Sequence, residues 1–338
     1  MPRLLIDLDI ETARLERLAA GTGLDVQRTP EPSASRRSLP DGLLAEVSAM
    51  LTTHVPTNVE AAKALQWIQL ASAGFAQVEG LGLSGRGVRV CTASGVNDVP
   101  IAEWTLMMMI ALARDLSGLM QNQQTATWDR DPRFQQEIRG RTLGIWGYGG
   151  IGRESARLAS ALGLRVHVLT RSGRISRRDA FGVPGTGDDA GKLPAKVFAA
   201  DEAIDFCAGL DFLLLAMPLT PQNEGLVGSE HFEAMPPHAF LLNPARGKLV
   251  READLLNALR TGGIAGAALD THFQTPLPPA HPLWAMPNVI ITPHISGSSQ
   301  SPHFVERLCL LFETNVRRWQ DHQPLLNELL PSQIDPKS

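Results

Sequence analysis

Short apolar runs alternate with polar, helix-forming stretches along most of the chain. Residues 4–8, 49–53, 67–71 and 88–92 have the length and the branched or aromatic content of strands, and helices are expected between them at 11–20 and 58–66. The rhythm resumes at 143–146, 165–170, 212–216, 239–242, 265–269 and 289–292, with a helix from 252 to 259. Strand and helix alternating in this way point to parallel sheets, an α/β fold. Residues 100–116 are apolar all round and predict a buried helix, in which the consecutive Met107, Met108 and Met109 are core packing. Residues 302–321 read as a closing amphipathic helix that returns to the amino-terminal unit. Residues 121–139 are polar around Trp128 and Phe134 and are read either as an arm for another subunit or as a surface crossover. Residues 181–191 hold too much glycine and proline for a long element and are expected to form a loop.

One stretch carries chemistry in its pattern. The strand at 143–146 runs into Gly147-Tyr148-Gly149-Gly150-Ile151-Gly152 and then into an alanine-rich helix. In a strand–turn–helix setting this spacing serves a dinucleotide. The first glycine permits the sharp turn, the second lets a pyrophosphate reach the backbone, and the third lets helix and strand close up. The phosphates would rest on free amides where the helix begins, near Gly152. The next strand ends in Thr170-Arg171-Ser172 with Arg174 behind, and it has no acid where a ribose 2′-hydroxyl would need one. A guanidinium between two hydroxyls suits a 2′-phosphate, so NADP(H) is expected ahead of NAD(H).

Three later strands end in polar groups. Leu241-Leu242 leads to Asn243-Pro244-Ala245-Arg246-Gly247, Ala268-Leu269 to Asp270, and Ile290-Ile291-Thr292 to Pro293-His294. In an open parallel sheet the carboxyl ends of the strands are the ligand-binding edge. A lone histidine after a strand is most often structural, but an arginine, an aspartate and a histidine at one edge point to chemistry. Arg246 offers a planar fork for a carboxylate, His294 suits proton transfer near neutral pH, and Asp270 suits a nicotinamide carboxamide. Together they describe hydride transfer to a 2-oxo acid. Ser72-Ala73-Gly74-Phe75 also follows a strand, and is either a set of amides facing an anion or a plain turn.

Composition narrows the class without changing it. A chain of 338 residues, 43% hydrophobic, is long enough for two cores. A net charge of -4 leaves no basic footprint for nucleic acid. Cys91, Cys207 and Cys309 are widely spaced, lack metal-ligand spacing and read as buried reduced thiols. The amino end is too short and too acidic for a signal peptide, and the longest apolar run, 101–113, is broken by Glu103. A cytoplasmic protein with no membrane span is expected.

These motifs, with Met217-Pro218-Leu219-Thr220 and Thr292-Pro293-His294-Ile295-Ser296-Gly297, resemble those of the NAD(P)-dependent D-2-hydroxyacid dehydrogenases, a family that includes glyoxylate/hydroxypyruvate reductases. The resemblance spans the cofactor half of the chain. It implies two Rossmann-like parallel-sheet domains with a cleft between them. Residues 1–95 plus 295–338 would form a flavodoxin-like substrate domain, and residues 96–294 the NAD(P)-binding domain. It also implies a homodimer and a small 2-oxo acid as substrate. Arg246 matches the substrate-anchoring arginine, His294 the acid/base, Ala73 and Gly74 the carboxylate-binding loop, and Asp270 the nicotinamide contact. Met217, Pro218, Ala245 and Gly297 fall at cofactor-binding positions. One member of the set is missing. Where the family has a glutamate before a proline to pair with the histidine, this chain has Thr275, and the nearby His272 is no substitute for a carboxylate. The competing reading is therefore a catalytically impaired NADP(H)-binding regulatory or scaffold protein of the same fold.

Overall fold

The expected parallel α/β architecture occurs twice in the computed structural model, which describes residues 2–31, 35–176 and 180–335. One unit comprises Met1–Val96, Asp179–Val183 and Ser299–Ser338, and the other Asn97–Arg178 and Pro184–Ser298. The expected boundary at 294/295 falls instead at 298/299, because the amides of Ile295 and Ser296 are bound by Asp270 of the second unit.

In the first unit, β1 (Arg3–Asp7), β2 (Asp25–Arg28), β3 (Val47–Thr52), β4 (Trp67–Leu70) and β5 (Arg89–Cys91) form one sheet in the order β2-β1-β3-β4-β5, each neighbouring pair parallel. This is the flavodoxin-like order. Alternate residues serve two cores: Leu4, Ile6, Leu51 and Trp67 meet Leu308, Leu311 and Phe312 of the closing helix, Pro302–Gln320, while Leu5, Met50, Ile68 and Val90 line the other face. Beneath that helix the buried Asn315 Nδ2 donates to Gln69 Oε1 at 2.9 Å, so a helix from the end of the chain is hydrogen-bonded to the middle of the sheet.

In the second unit, β6 (Thr142–Trp146), β7 (Arg165–Leu169), β8 (Lys196–Phe198), β9 (Phe212–Leu215), β10 (Phe240–Asn243), β11 (Gly266–Leu269) and β12 (Val289–Ile291) are ordered β12-β11-β10-β9-β6-β7-β8, all parallel. The order reverses between β6 and β9, the switch point at which dinucleotide sheets bind their ligand. Leu213 and Leu215 enter one core and Phe212 and Leu214 the other. Burial on both faces is why these strands read as unbroken apolar runs.

Two helices differ from expectation. Residues 58–66 hold only a 3-10 turn, Val59–Ala61, because the Arg86 guanidinium takes the carbonyls of Val59 and Ala62 and the amide of Gln66 goes to Ser48 O at 2.8 Å. The apolar helix runs Asp98–Ala113 and stops short of 116, and of its three methionines Met108 and Met109 are core while Met107, expected there too, is exposed. Asp115, with φ 45°, accepts from the amide of Gly118 at 3.0 Å and starts a second helix, Leu116–Gln124. Among the described residues no helix is long and apolar enough to cross a membrane.

Candidate active site

The glycine turn is built as the motif requires. Gly147 has φ 99°, open to glycine, and a Cβ there would come within 2.7 Å of Ala216 O. A Cβ on Gly152 would meet Gly147 O at 2.4 Å, and one on Gly150 the Asp98 carboxylate. The helix, Gly150–Ala161, opens two residues before the expected start, and the amides of its first turn have no helical acceptor behind them. Met217, under the turn, would lie 3.0 Å from that Gly147 Cβ. This cradle fits a pyrophosphate. The Tyr148 side chain is engaged away from the turn: its hydroxyl donates to Asp188 Oδ2 at 2.7 Å and its ring lies 4.9 Å from the Arg153 guanidinium carbon. Burial, then the hydrogen bond to Asp188, raises the phenol's pKa. Asp188 also accepts from the amides of Lys192 and Leu193, each at 3.0 Å, and so pins the glycine-rich loop to the turn.

At the end of β7, Thr170 Oγ1 donates to Arg174 O at 3.1 Å, folding residues 170–174 into a tight turn, and Ser172 bridges to Ala199. Arg171 and Arg174 are exposed, and their guanidiniums have no partner among the described residues.

Arg246 is set by Asn243, a buried residue whose part the sequence did not reveal. Asn243 Oδ1 accepts from the amides of Ala245 (3.1 Å) and Arg246 (3.2 Å), and its Nδ2 donates to Arg246 O at 2.9 Å. The guanidinium reaches solvent and donates to Ala245 O at 2.6 Å, but no carboxylate pairs with it among the described residues. Burial of its inner side lowers its pKa. An arginine remains charged even so, and the site therefore holds an uncompensated cation. Pro218 O accepts from Asn223 Nδ2 at 2.8 Å, which closes the turn after β9.

Asp270 is engaged by the loop that carries His294. It is 0% exposed. Its Oδ1 accepts from Thr292 Oγ1 (2.6 Å) and Ile295 N (2.9 Å), and its Oδ2 from Ser296 N (3.0 Å) and Ser296 Oγ. A carboxylate has about four acceptor sites. All four are met by donors of the His294 loop. His294 itself has φ 57°, its amide donates to Asp270 O at 2.8 Å, and its ring is exposed. Further support comes from Trp104, whose Nε1 donates to Thr292 Oγ1 at 3.1 Å, and from His272, whose Nε2 meets Thr292 O at 2.9 Å. A Cβ on Gly247 would lie 2.3 Å from the His272 carbonyl carbon, so the Arg246 and His294 loops meet on either side of His272. Gly297 faces Asn97, whose Oδ1 is buried with no partner among the described residues. That orphaned acceptor is a second feature fitting a bound nucleotide.

In the first unit, Ser72 Oγ donates to Gly74 O at 2.7 Å and accepts from Gln77 Nε2 at 2.8 Å. The loop is thereby held with Ala73 exposed and its amide, like that of Gly74, without an acceptor among the described residues. All three cysteines are buried and free, and burial raises their pKa values, that of Cys207 to about 12. They take no part as thiolates.

Residues 106–296 match the model of the D-isomer specific 2-hydroxyacid dehydrogenase NAD-binding domain. Over 242 residues the chain is 31% identical to a D-3-phosphoglycerate dehydrogenase of Archaeoglobus fulgidus, covering 72% of this chain and 43% of that one. The match thus spans about half the length of that relative. A glyoxylate reductase of Thermofilum pendens is 31% identical over 74% of this chain and 71% of its own. Among solved structures, a D-isomer specific 2-hydroxyacid dehydrogenase of Xanthobacter autotrophicus in complex with NADPH and MES superposes with a TM-score of 0.76 at 25% identity, covering 98% of this chain and 99% of that one.

Proposed function

The chain belongs to the D-isomer specific 2-hydroxyacid dehydrogenase family, and from that premise we propose that it reduces small 2-oxo acids to D-2-hydroxy acids with NADPH. The observation carrying this reading is Arg246, a partly desolvated guanidinium with no acid beside it, on a loop that shares His272 with the loop bearing His294. A substrate carboxylate supplies the missing anion in a bidentate pair. His294, exposed on a turn fixed by Asp270, donates the proton to the oxygen at C2 as the carbonyl is reduced. Gly147 to Gly152 would hold the pyrophosphate of a bound NADPH, whose chemistry there would be to supply the hydride. The open amides of Ala73 and Gly74 offer a further anion-binding surface in the first unit.

NADPH is preferred over NADH because Arg171 and Arg174 stand unpaired where a 2′-phosphate would lie and no carboxylate occupies residues 170–174. Three buried thiols suit the reducing cytosol. A homodimer fits Trp128, 91% exposed, together with the exposed Met107, Ile110, Leu116 and Met120 and a cavity of about 470 Å³ edged by Leu112, Leu116, Phe240 and Ile290.

The deciding assay follows NADPH and NADH oxidation with glyoxylate, hydroxypyruvate, pyruvate and bulkier 2-oxo acids. Turnover with at least one acid and a higher kcat/KM for NADPH is expected. Binding of NADPH with no turnover on any acid would leave a cofactor-binding protein and end the reductase reading.

A further inference from the structure

We propose that His272 is a positioning residue for His294, acting through Thr292, and that Trp104 shares this task; the inference rests on the reading of His294 as the proton donor. His272 Nε2 faces a carbonyl, so it carries the ring hydrogen and donates it to Thr292 O at 2.9 Å. The other nitrogen, Nδ1, is buried without a partner among the described residues. A phenyl ring would fill the same space and leave no buried nitrogen unmatched, so what the imidazole adds is one N–H aimed at Thr292. The threonine is held on its other side as well. Trp104 Nε1 donates to its hydroxyl at 3.1 Å, and that hydroxyl donates to Asp270 Oδ1 at 2.6 Å.

His294, two residues on, makes these locks consequential. Its φ of 57° is a conformation that an L-residue keeps only when its surroundings impose it. Its ring has no hydrogen-bond partner among the described residues, so the backbone of the turn decides where the ring stands. Thr275 cannot orient an imidazole as a carboxylate does. In this chain the orienting role passes to the backbone clasp, and His272 and Trp104 are its two ring donors.

The test compares His272→Phe, His272→Gln and Trp104→Phe by two independent readouts. The first is the imidazole NMR signal of His294 in the cofactor-free protein, identified by its loss in His294→Gln. It should shift or broaden in His272→Phe and Trp104→Phe and return to the wild-type position in His272→Gln, whose amide can reach Thr292 O. The second is steady-state reduction, where kcat should fall ~10- to 100-fold in the two Phe variants with the KM for NADPH unchanged, the size expected of a misplaced reacting group. A His294 signal unmoved in both Phe variants overturns the proposal whatever the rates show. If the wild type turns over no 2-oxo acid, the functional reading fails while the NMR comparison still decides the positioning. Should His272→Phe not fold, as judged by circular dichroism, Trp104→Phe, which keeps an aromatic ring but lacks the Nε1 donor, decides alone.

Discussion

Arg246 and His294 could be read from the chain because each is a polar residue following an apolar strand, and the sheet edge does the rest. Their supports could not. Asn243, Thr292 and His272 act through partners on other strands or loops, and nothing in a linear pattern says that Thr292 O lies 2.9 Å from an imidazole twenty positions earlier. Asp270 shows the opposite limit: its place was legible, but its job depends on four donors that only folding brings to it. Thr275 is exposed, so Thr275→Glu should be accepted without repacking. By the family resemblance a carboxylate at 275 would pair with His294, and such a pair favours the protonated imidazole. The pH at which NADPH-driven reduction falls off should therefore rise in this variant, with kcat at lower pH changed by less than about tenfold. A pH–rate profile identical to wild type would remove the case that His294 works here without a carboxylate.

At the scale of elements, central strands declared themselves, as did the edge strands β5 and β12, while the edge strands β2 and β8 did not. β2 reads Asp-Val-Gln-Arg and β8 Lys-Val-Phe, too short and polar for the apolar pattern, because an edge strand has one neighbour and a solvated side. The glycine-rich loop read correctly as lacking regular structure, yet its anchorage through Asp188 was invisible, since Tyr148 and Asp188 lie forty residues apart. That anchorage makes a pH prediction. Burial acts to raise the Asp188 pKa, but the Tyr148 hydroxyl, the amides of Leu193 and Lys192, and Arg153 together bring it below the ordinary 3.8. A depressed carboxylate contributes stability that is fully present above its unfolded value and is lost as pH falls through the folded one. Asp188→Asn should thus be less stable than wild type at pH 7, by roughly 2–3 kcal/mol for charged hydrogen bonds lost, and unfold at a lower temperature. The gap should close below about pH 4. Thermal melts across pH 3 to 7 measure it, and a gap independent of pH would show that the carboxylate's charge is not what holds the loop.

For the molecule as a whole, strand–helix alternation announced an α/β fold and the family resemblance its two units, and the division found in the structure differs from the expected one by one residue at 96, by a few at 294–299 and by the short strip 179–183. That strip was not legible: Phe181 N donates to Asn327 Oδ1 at 3.3 Å, a pairing across nearly half the chain. If the exposed face around Trp128 seats a second copy, the wild type should sediment at twice its 36.6 kDa and Trp128→Glu at the mass of one chain. A wild type that sediments as a single chain would discard the dimer.

The hydrogen bond between Asn315 and Gln69 has a further consequence, one of order in time. Residues 2–96 leave the ribosome with one face of their sheet bare, and the side chains that cover it, Leu308, Leu311 and Phe312, are translated only after the whole of the second unit. The later-born nucleotide unit, nearly continuous in the chain, is complete and able to close before the earlier one is. While the second unit is being made, the earlier sheet waits for a helix that is made after it.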